Sequence, residues 1–250
     1  MYNNFMIKLT LFIKEFFLKR KFVIGDINKN DITGALHKAW GIIFNNQTQG
    51  DYVEFGVYKG NSFFRSIEQY EIFKKWFLNQ NKSNEKWRVD LFNSTNFLKR
   101  EITFHALDSF EGMPKNNENN IIFKKNNFKS DYSKFESDIR IFLDKKIQIK
   151  IYKGFFSNTG QDLKKNLKNK KIAIANIDCD LYSSTHDALQ IIKSYIQIGT
   201  ILLFDDYNCF NGNINMGQKK AFNKYLKNCN HKYEKIFTYS YVGQAFIRIK

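Results

Sequence analysis

The chain has 250 residues, room for one sizeable α/β domain or two small ones, and a single proline, Pro114, leaves no Pro-rich linker to divide it. Its 40 Lys and Arg against 24 Asp and Glu give a formal charge of +16, which favours anionic partners such as a nucleotide-linked substrate, phospholipid or nucleic acid. The lysines are dispersed (FKKW, FKKNNFK, LKKNLKNKK, GQKK) rather than gathered on one face, which argues against a nucleic-acid-binding module, and the three cysteines form no CxxC pair, which argues against a zinc or disulfide framework and for a reduced cytoplasmic protein.

The first segment, FMIKLTLFIKEFFLKRKF, places Phe5, Leu9, Phe12, Phe16 and Phe17 along one helical face, with Lys8, Glu15 and Lys19 opposite. It is too short and too charged to span a bilayer, and it has no small-residue cleavage site. Such a face predicts docking on the chain's own core or on a sister subunit of a homodimer; peripheral contact with a membrane surface is the alternative. Residues 1–50 are therefore read as an N-terminal helical extension of a single domain covering 1–250. Strand-like runs follow at 52–57 (YVEFGV), 102–107 (ITFHAL), 147–152 (IQIKIY), 172–177 (IAIANI) and 200–204 (TILLF). Helical patterns lie between them, starting near Ser62 and covering about 134–143, 159–169, 184–198 and 217–228. The alternation predicts an α/β fold, a mostly parallel sheet with helices on both faces. YEKIFTYS and YVGQAFIRI then suggest an antiparallel hairpin. Two stretches read as insertions: 79–96, a polar and aperiodic surface excursion, and 111–133, a long loop placed to act as a lid.

In open parallel sheets ligands bind beyond the carboxyl ends of the strands, and the unusual polar clusters of this chain all fall there. The first strand runs into EFGVYKGNS, where Gly56 and Gly60 permit a tight turn and Ser62 can cap the next helix. This is not the full dinucleotide fingerprint. Glu54 reads either as a satisfied structural acid or as a contact for a ligand ammonium. Asp108, at the tip of the second strand with Ser109 and Phe110 beside it, sits where nucleoside-binding sheets hold ribose hydroxyls; as a plain turn residue it would need no ligand. Gly154 turns the chain after the third strand, leaving Phe155 or Phe156 to pack on a flat ring or into the core.

The fourth and fifth strands end in IDCDLYSST and FDDYN, which place Asp178, Asp180, Asp205 and Asp206 at adjacent tips. Four carboxylates there cannot all stay ionised without a positive partner, and hard oxygen donors suit Mg²⁺, Mn²⁺ or Ca²⁺. Two unrelated helix-capping turns are the bland alternative. Cys179 reads as packing, His186 as a capping or solvent residue, and His37, His105 and His231 as structural.

Taken in order, YVEFGVYKGNS, ALDSFEGMP, YKGFFSNT, IDCDLYSST and ILLFDDYN, followed by GQKKAF, resemble the macrocin-type sugar O-methyltransferases across residues 52–222. These are metal-dependent class I enzymes that use S-adenosylmethionine (SAM). The resemblance implies a Rossmann-like fold with a seven-stranded sheet and a reversed last strand. It implies SAM contacts at Glu54, Gly56, Tyr58, Gly60, Ser62, Asp108, Ser109 and Phe155, a Mg²⁺ (or Mn²⁺ or Ca²⁺) at Asp178, Asp205 and Asp206, and Asp180 as general base. The implied acceptor is a hydroxyl of a sugar, for which a nucleotide-linked heptose or hexose of bacterial surface polysaccharide is the working expectation. The rival reading is a glycosyltransferase whose DCD would hold a metal on a nucleotide-sugar. That rival explains neither the glycine turn of the first strand nor the second aspartate pair.

Overall fold

The computed structural model describes residues 31–250 except 99, 119–121 and 144–146; the amphipathic stretch at 5–19 lies outside the described residues. In chain order the elements are α1 (Ile32–Asn45), β1 (Asp51–Phe55), α2 (Asn61–Leu78), α3 (Lys86–Ser94), β2 (Thr103–Asp108), α4 (Tyr132–Leu143), β3 (Gln148–Lys153), α5 (Phe156–Asn166), β4 (Ile172–Ile177), α6 (Tyr182–Ile192), β5 (Ile196–Phe204), α7 (Gly217–Lys227), β6 (Tyr233–Tyr239) and β7 (Gly243–Arg248). The seven strands form one sheet in the order β3-β2-β1-β4-β5-β7-β6. β7 runs antiparallel to both β5 and β6, and the remaining pairings are parallel.

Period-two alternation along the central strands feeds two cores. Tyr52, Phe104, Ile174, Ile201 and Leu203 face one side, where Trp40 of α1, Phe63 and Tyr70 of α2, and Phe135 of α4 cover them. Val53, Phe55, Ala175, Ile177, Leu202 and Phe204 face the other, under Leu163 of α5, Leu189 of α6 and Phe222 of α7. Each fully buried large side chain of this kind contributes roughly 1.5–3 kcal/mol by leaving water, so the two cores fix the sheet whose tips carry the site. Trp40 satisfies its indole by donating to Ser66 Oγ at 3.0 Å.

Three local readings differ from the structure. α1 is more than an extension: Asp31 caps it by accepting from Gly34 N at 2.9 Å, and its apolar face forms part of the first core. The excursion at 79–96 contains α3, whose Phe92 packs on Phe77 at a ring distance of 5.5 Å while Trp87 stays 61 % exposed. The helix expected to reach 198 ends at Ile192, and Ile196 already pairs with Ile172 of β4. Ile196 continues the helical spacing of α6, and the β4–β5 register shifts between Ile172 and Ile174. Gly199, at φ +86°, takes up the irregularity against the Thr48 side chain.

At the opposite edge from the strand tips, Asp51 collects a buried network. It accepts from Thr103 N and Arg100 at 3.1 Å each, meets Lys170 at 3.2 Å, and pairs with His105 Nε2 at 3.1 Å. Tyr152 Oη holds the other His105 nitrogen at 2.9 Å. Burial pushes the Asp51 carboxyl up, and these partners outweigh it to leave the group below its ordinary value. Burial holds His105 below its own. His105 is thus a core residue, while His37 against Gln69 and His231 against Tyr225 are half-buried structural residues.

Candidate active site

A cavity of about 560 Å³ opens beyond the carboxyl ends of β1, β2, β3 and β4. Gly56, Tyr58, Asp108 and Ser109 from the tips of β1 and β2, Phe155 and Phe156 after β3, and Asp178, Cys179, Asp180 and Asp187 after β4 line it. Gly56 has φ +91°, and a Cβ there would fall 1.7 Å from the Asp178 carbonyl oxygen, so only glycine lets β1 turn this close to β4. Asp108 accepts from Tyr58 N at 2.7 Å and Phe110 N at 2.6 Å, which ties the tips of β1 and β2 together. Burial raises its carboxyl above the usual range against the pull of those two amides. Each oxygen keeps a lone pair for a ligand hydroxyl.

Four of the eight expected cofactor contacts have other employment. Glu54 is 0 % exposed and does not line the cavity. Strand alternation turns it, with Tyr52, toward the core under α1 and α2, where Tyr52 Oη and Ser62 Oγ (2.6 Å) both donate to it. Burial lifts Glu54 to about 7. Ser62 is spent on the same bond. Gly60 precedes α2 and packs against the rings of Phe64 and Phe135, away from the cavity. Ser109 does line the cavity, but its hydroxyl is engaged within its own turn, donating to Gly112 O at 3.0 Å and accepting from Glu111 N at 3.1 Å. Gly56, Tyr58, Asp108 and Phe155 remain as lining residues. Phe156, half-buried, lines the cavity and meets Phe55 edge-on at 5.1 Å.

The four aspartates converge. Carboxylate oxygens of Asp178, Asp205 and Asp206 lie within 4.8 Å of one another. Asp205 Oδ1 is buried without a hydrogen-bond partner, which is how a vacant donor for a hard cation looks. Burial and then the neighbouring Asp206 carboxylate push Asp205 to about 6. Burial followed by Asp205, Asp180 and Asp206 raises Asp178 well above the usual range. Asp180 is raised likewise, by burial and then Asp206. The donor set and the orphaned oxygen fit a divalent cation. Cys179 is packing: its thiol is buried, raised by that burial, and lies 3.6 Å from Thr185 Oγ1. His186 stays outside, 3.5 Å from Asp187 and tilted on Tyr182.

Supports for the cluster come from residues that sequence reasoning passed over. Gln218, fully buried, accepts from Asp206 N at 3.0 Å and donates to Ile177 O at 2.8 Å, so one amide fixes the tips of β4 and β5. Cys209 donates to Asp206 Oδ1 at 3.0 Å. The loop between β2 and α4 supplies Met113, Pro114, Lys115 and Phe128 to the cavity wall. A glutamine directly after a glycine at a helix start was the available signal for Gln218; the length and place of the 111–133 loop pointed to the site, but not to which of its residues line it.

A sheet of this order with its reversed β7, and a cavity at the tips of its central strands, defines a class I SAM-dependent O-methyltransferase. A family model described as Macrocin-O-methyltransferase (TylF) matches residues 30–236. The chain belongs to the macrocin O-methyltransferase family. The O-methyltransferase NovP shares the fold with a TM-score of 0.63 at 18% identity, over 87% of this chain and 79% of NovP. The calicheamicin methyltransferase CalS11 follows with 0.58 at 17% identity, over 86% and 77%. Its apo form, described as a TDP-rhamnose 3'-O-methyltransferase, gives 0.51 at 15% identity, over 86% and 78%. Comparison with curated proteins gave no match. Family membership sets aside the glycosyltransferase reading of DCD. Among the described residues no helix is long and apolar enough to cross a membrane.

Proposed function

We propose that the enzyme methylates a hydroxyl of a sugar with the help of a divalent cation, and that the sugar is a nucleotide-linked hexose or heptose of the kind that feeds bacterial surface polysaccharide. The observation that carries the metal reading is the trio of carboxylates within 4.8 Å, one of them with a buried unpartnered oxygen. Asp178, Asp205 and Asp206 would hold the ion; Mg²⁺, Mn²⁺ and Ca²⁺ all suit such oxygen donors. When bound, the cation would lower the pKa of an acceptor hydroxyl and fix its orientation. SAM would supply a methyl group on a sulfonium centre, with Asp108 accepting from its ribose hydroxyls and Phe155 and Phe156 flanking its flat ring.

Asp180 lines the same cavity beside the acid cluster, where its carboxylate can take a proton from an alcohol. The loop residues Met113, Pro114 and Lys115 and the phenylalanine flank wall the cavity, and holding the acceptor oxygen in line with the methyl group there would supply much of the acceleration. The net charge of +16 and Lys115 in the cavity wall favour an acceptor that carries phosphate.

The test is methyl transfer from labelled SAM to a panel of nucleotide-linked and free sugars, with EDTA and with each metal restored. Transfer to a nucleotide-linked sugar that EDTA abolishes and Mg²⁺ or Mn²⁺ restores is the expected outcome. An EDTA-resistant rate removes the metal from the reaction, and equal rates on free sugars remove the nucleotide.

A further inference from the structure

Asp180 is held in a left-handed backbone conformation. Its φ is +57°, in the left-handed region that a β-carbon disfavours. The turn around it is tight: Leu181 N donates to Cys179 O at 2.6 Å, and α6 begins at the next residue. Such a conformation persists only where the surroundings over-determine it.

The surroundings come from the loop between β2 and α4. Glu118 accepts from Tyr182 N at 2.8 Å through one carboxylate oxygen and from Gly217 N at 2.7 Å through the other. One side chain therefore binds the first amides of α6 and α7 together, where helix dipoles also favour its negative charge. Both partners abut Asp180. Tyr182 is two residues beyond it, and a Cβ added to Gly217 would come within 3.5 Å of the Asp180 carbonyl oxygen. Met113 and Phe123 of the loop also pack with Leu181, and Phe123 meets Phe210 at 5.5 Å, so the loop is seated against the residue that follows Asp180 and the segment after β5 as well as at β2. None of the family-resembling motifs contains this residue.

We infer that Glu118 is a positioning residue for methyl transfer: by pinning the starts of α6 and α7 it holds the 179–182 turn, and with it the Asp180 carboxylate, in register with the acceptor hydroxyl. The inference rests on Asp180 being the base. Glu118 does not line the cavity; it holds two backbone amides, and its negative charge also bears on the Asp180 carboxylate.

Glu118→Ala and Glu118→Gln, assayed beside Asp180→Asn in the full-length enzyme, test it. Loss of both bonds in Glu118→Ala should lower kcat by about 10–100-fold while SAM affinity, read by calorimetry, stays within about two-fold. Glu118→Gln keeps one acceptor oxygen and should fall between Ala and wild type. Amide exchange at Tyr182 and Gly217 should speed up in the same order. A Glu118→Ala enzyme with wild-type kcat and only a lower Tm overturns the inference, as does a parallel loss of SAM affinity, which would mean the loop merely walls the cofactor end. If Asp180→Asn turns over normally, the base assignment fails and the inference fails with it. If Asp180→Asn is inactive while Glu118→Ala is not, the inference alone fails.

Discussion

Replacing Asp205 by Asn should stabilise the metal-free protein while destroying the site. Asp205 sits at about 6 in the folded chain against an ordinary 3.8, raised by burial and by Asp206. A carboxyl whose folded pKa is raised favours folding only while protonated. Its penalty is small below pH 3.8, grows as pH rises, and is complete above about 6. Some two pH units at about 1.4 kcal/mol each set an upper bound near 3 kcal/mol at pH 8, and solvent relaxation lowers the expected gain to about 1–3 kcal/mol. For a chain of this size that is about 2–4 °C in Tm per kcal/mol. At pH 4 the same substitution should gain less than about 1 kcal/mol. The assay is thermal unfolding followed by circular dichroism at pH 4 and pH 8, in EDTA and in excess Mg²⁺. Excess Mg²⁺ should reverse the order, because the wild type gains by mass action and the variant, short of a ligand, does not; a hundred-fold excess over Kd would supply about 2.7 kcal/mol. An Asn variant no more stable than wild type in EDTA at pH 8, or equally stabilised at both pH values, refutes the reasoning.

Asp180→Asn should cost about 10²–10⁴ in kcat while leaving SAM binding intact, which turnover and calorimetry read separately. Gly56→Ala forces a methyl group onto the Asp178 carbonyl, so β1 and β4 must part; a loss of about 2–4 kcal/mol in denaturant unfolding and loss of methyl transfer are expected together. His105 has a folded pKa below its ordinary 6.5, so its contribution is present above pH 6.5 and is lost as pH falls through the folded value. The stability of wild type relative to His105→Gln should accordingly narrow between pH 7 and pH 5, as urea midpoints would report.

Much of this fold is legible in residues 172–177: IAIANI is apolar but for Asn176, runs into an acidic tip, and coincides with β4 because a central parallel strand is buried on both faces. The aspartate cluster is legible for the same reason, since parallel neighbours bring their carboxyl ends to one edge whatever the rest of the chain does. The start of β5 is not legible. Ile196 and Ile198 continue the helical spacing of α6, and only pairing with Ile172 across an irregular register decides the matter. Glu54 shows the finer limit. Its place at a strand tip marks it as a ligand contact, yet alternation with Tyr52 turns the side chain inward, and Ser62 follows it. Glu118 was invisible, because two backbone amides 35 positions apart leave no pattern in the sequence around it.

β7 is made after β6 but lies inside it, between β6 and β5. The order of synthesis is therefore not the order of assembly. Until β7 arrives, β5 presents an open, apolar edge through Ile201 to Phe204, and β6 has no strand to join. Closure of the sheet is thus a late, non-local step, and the nascent protein passes through a stage in which one edge of β5 is unpaired. Chaperone dependence and aggregation during synthesis would concentrate in that interval, next to the strand that delivers Asp205 and Asp206 to the site.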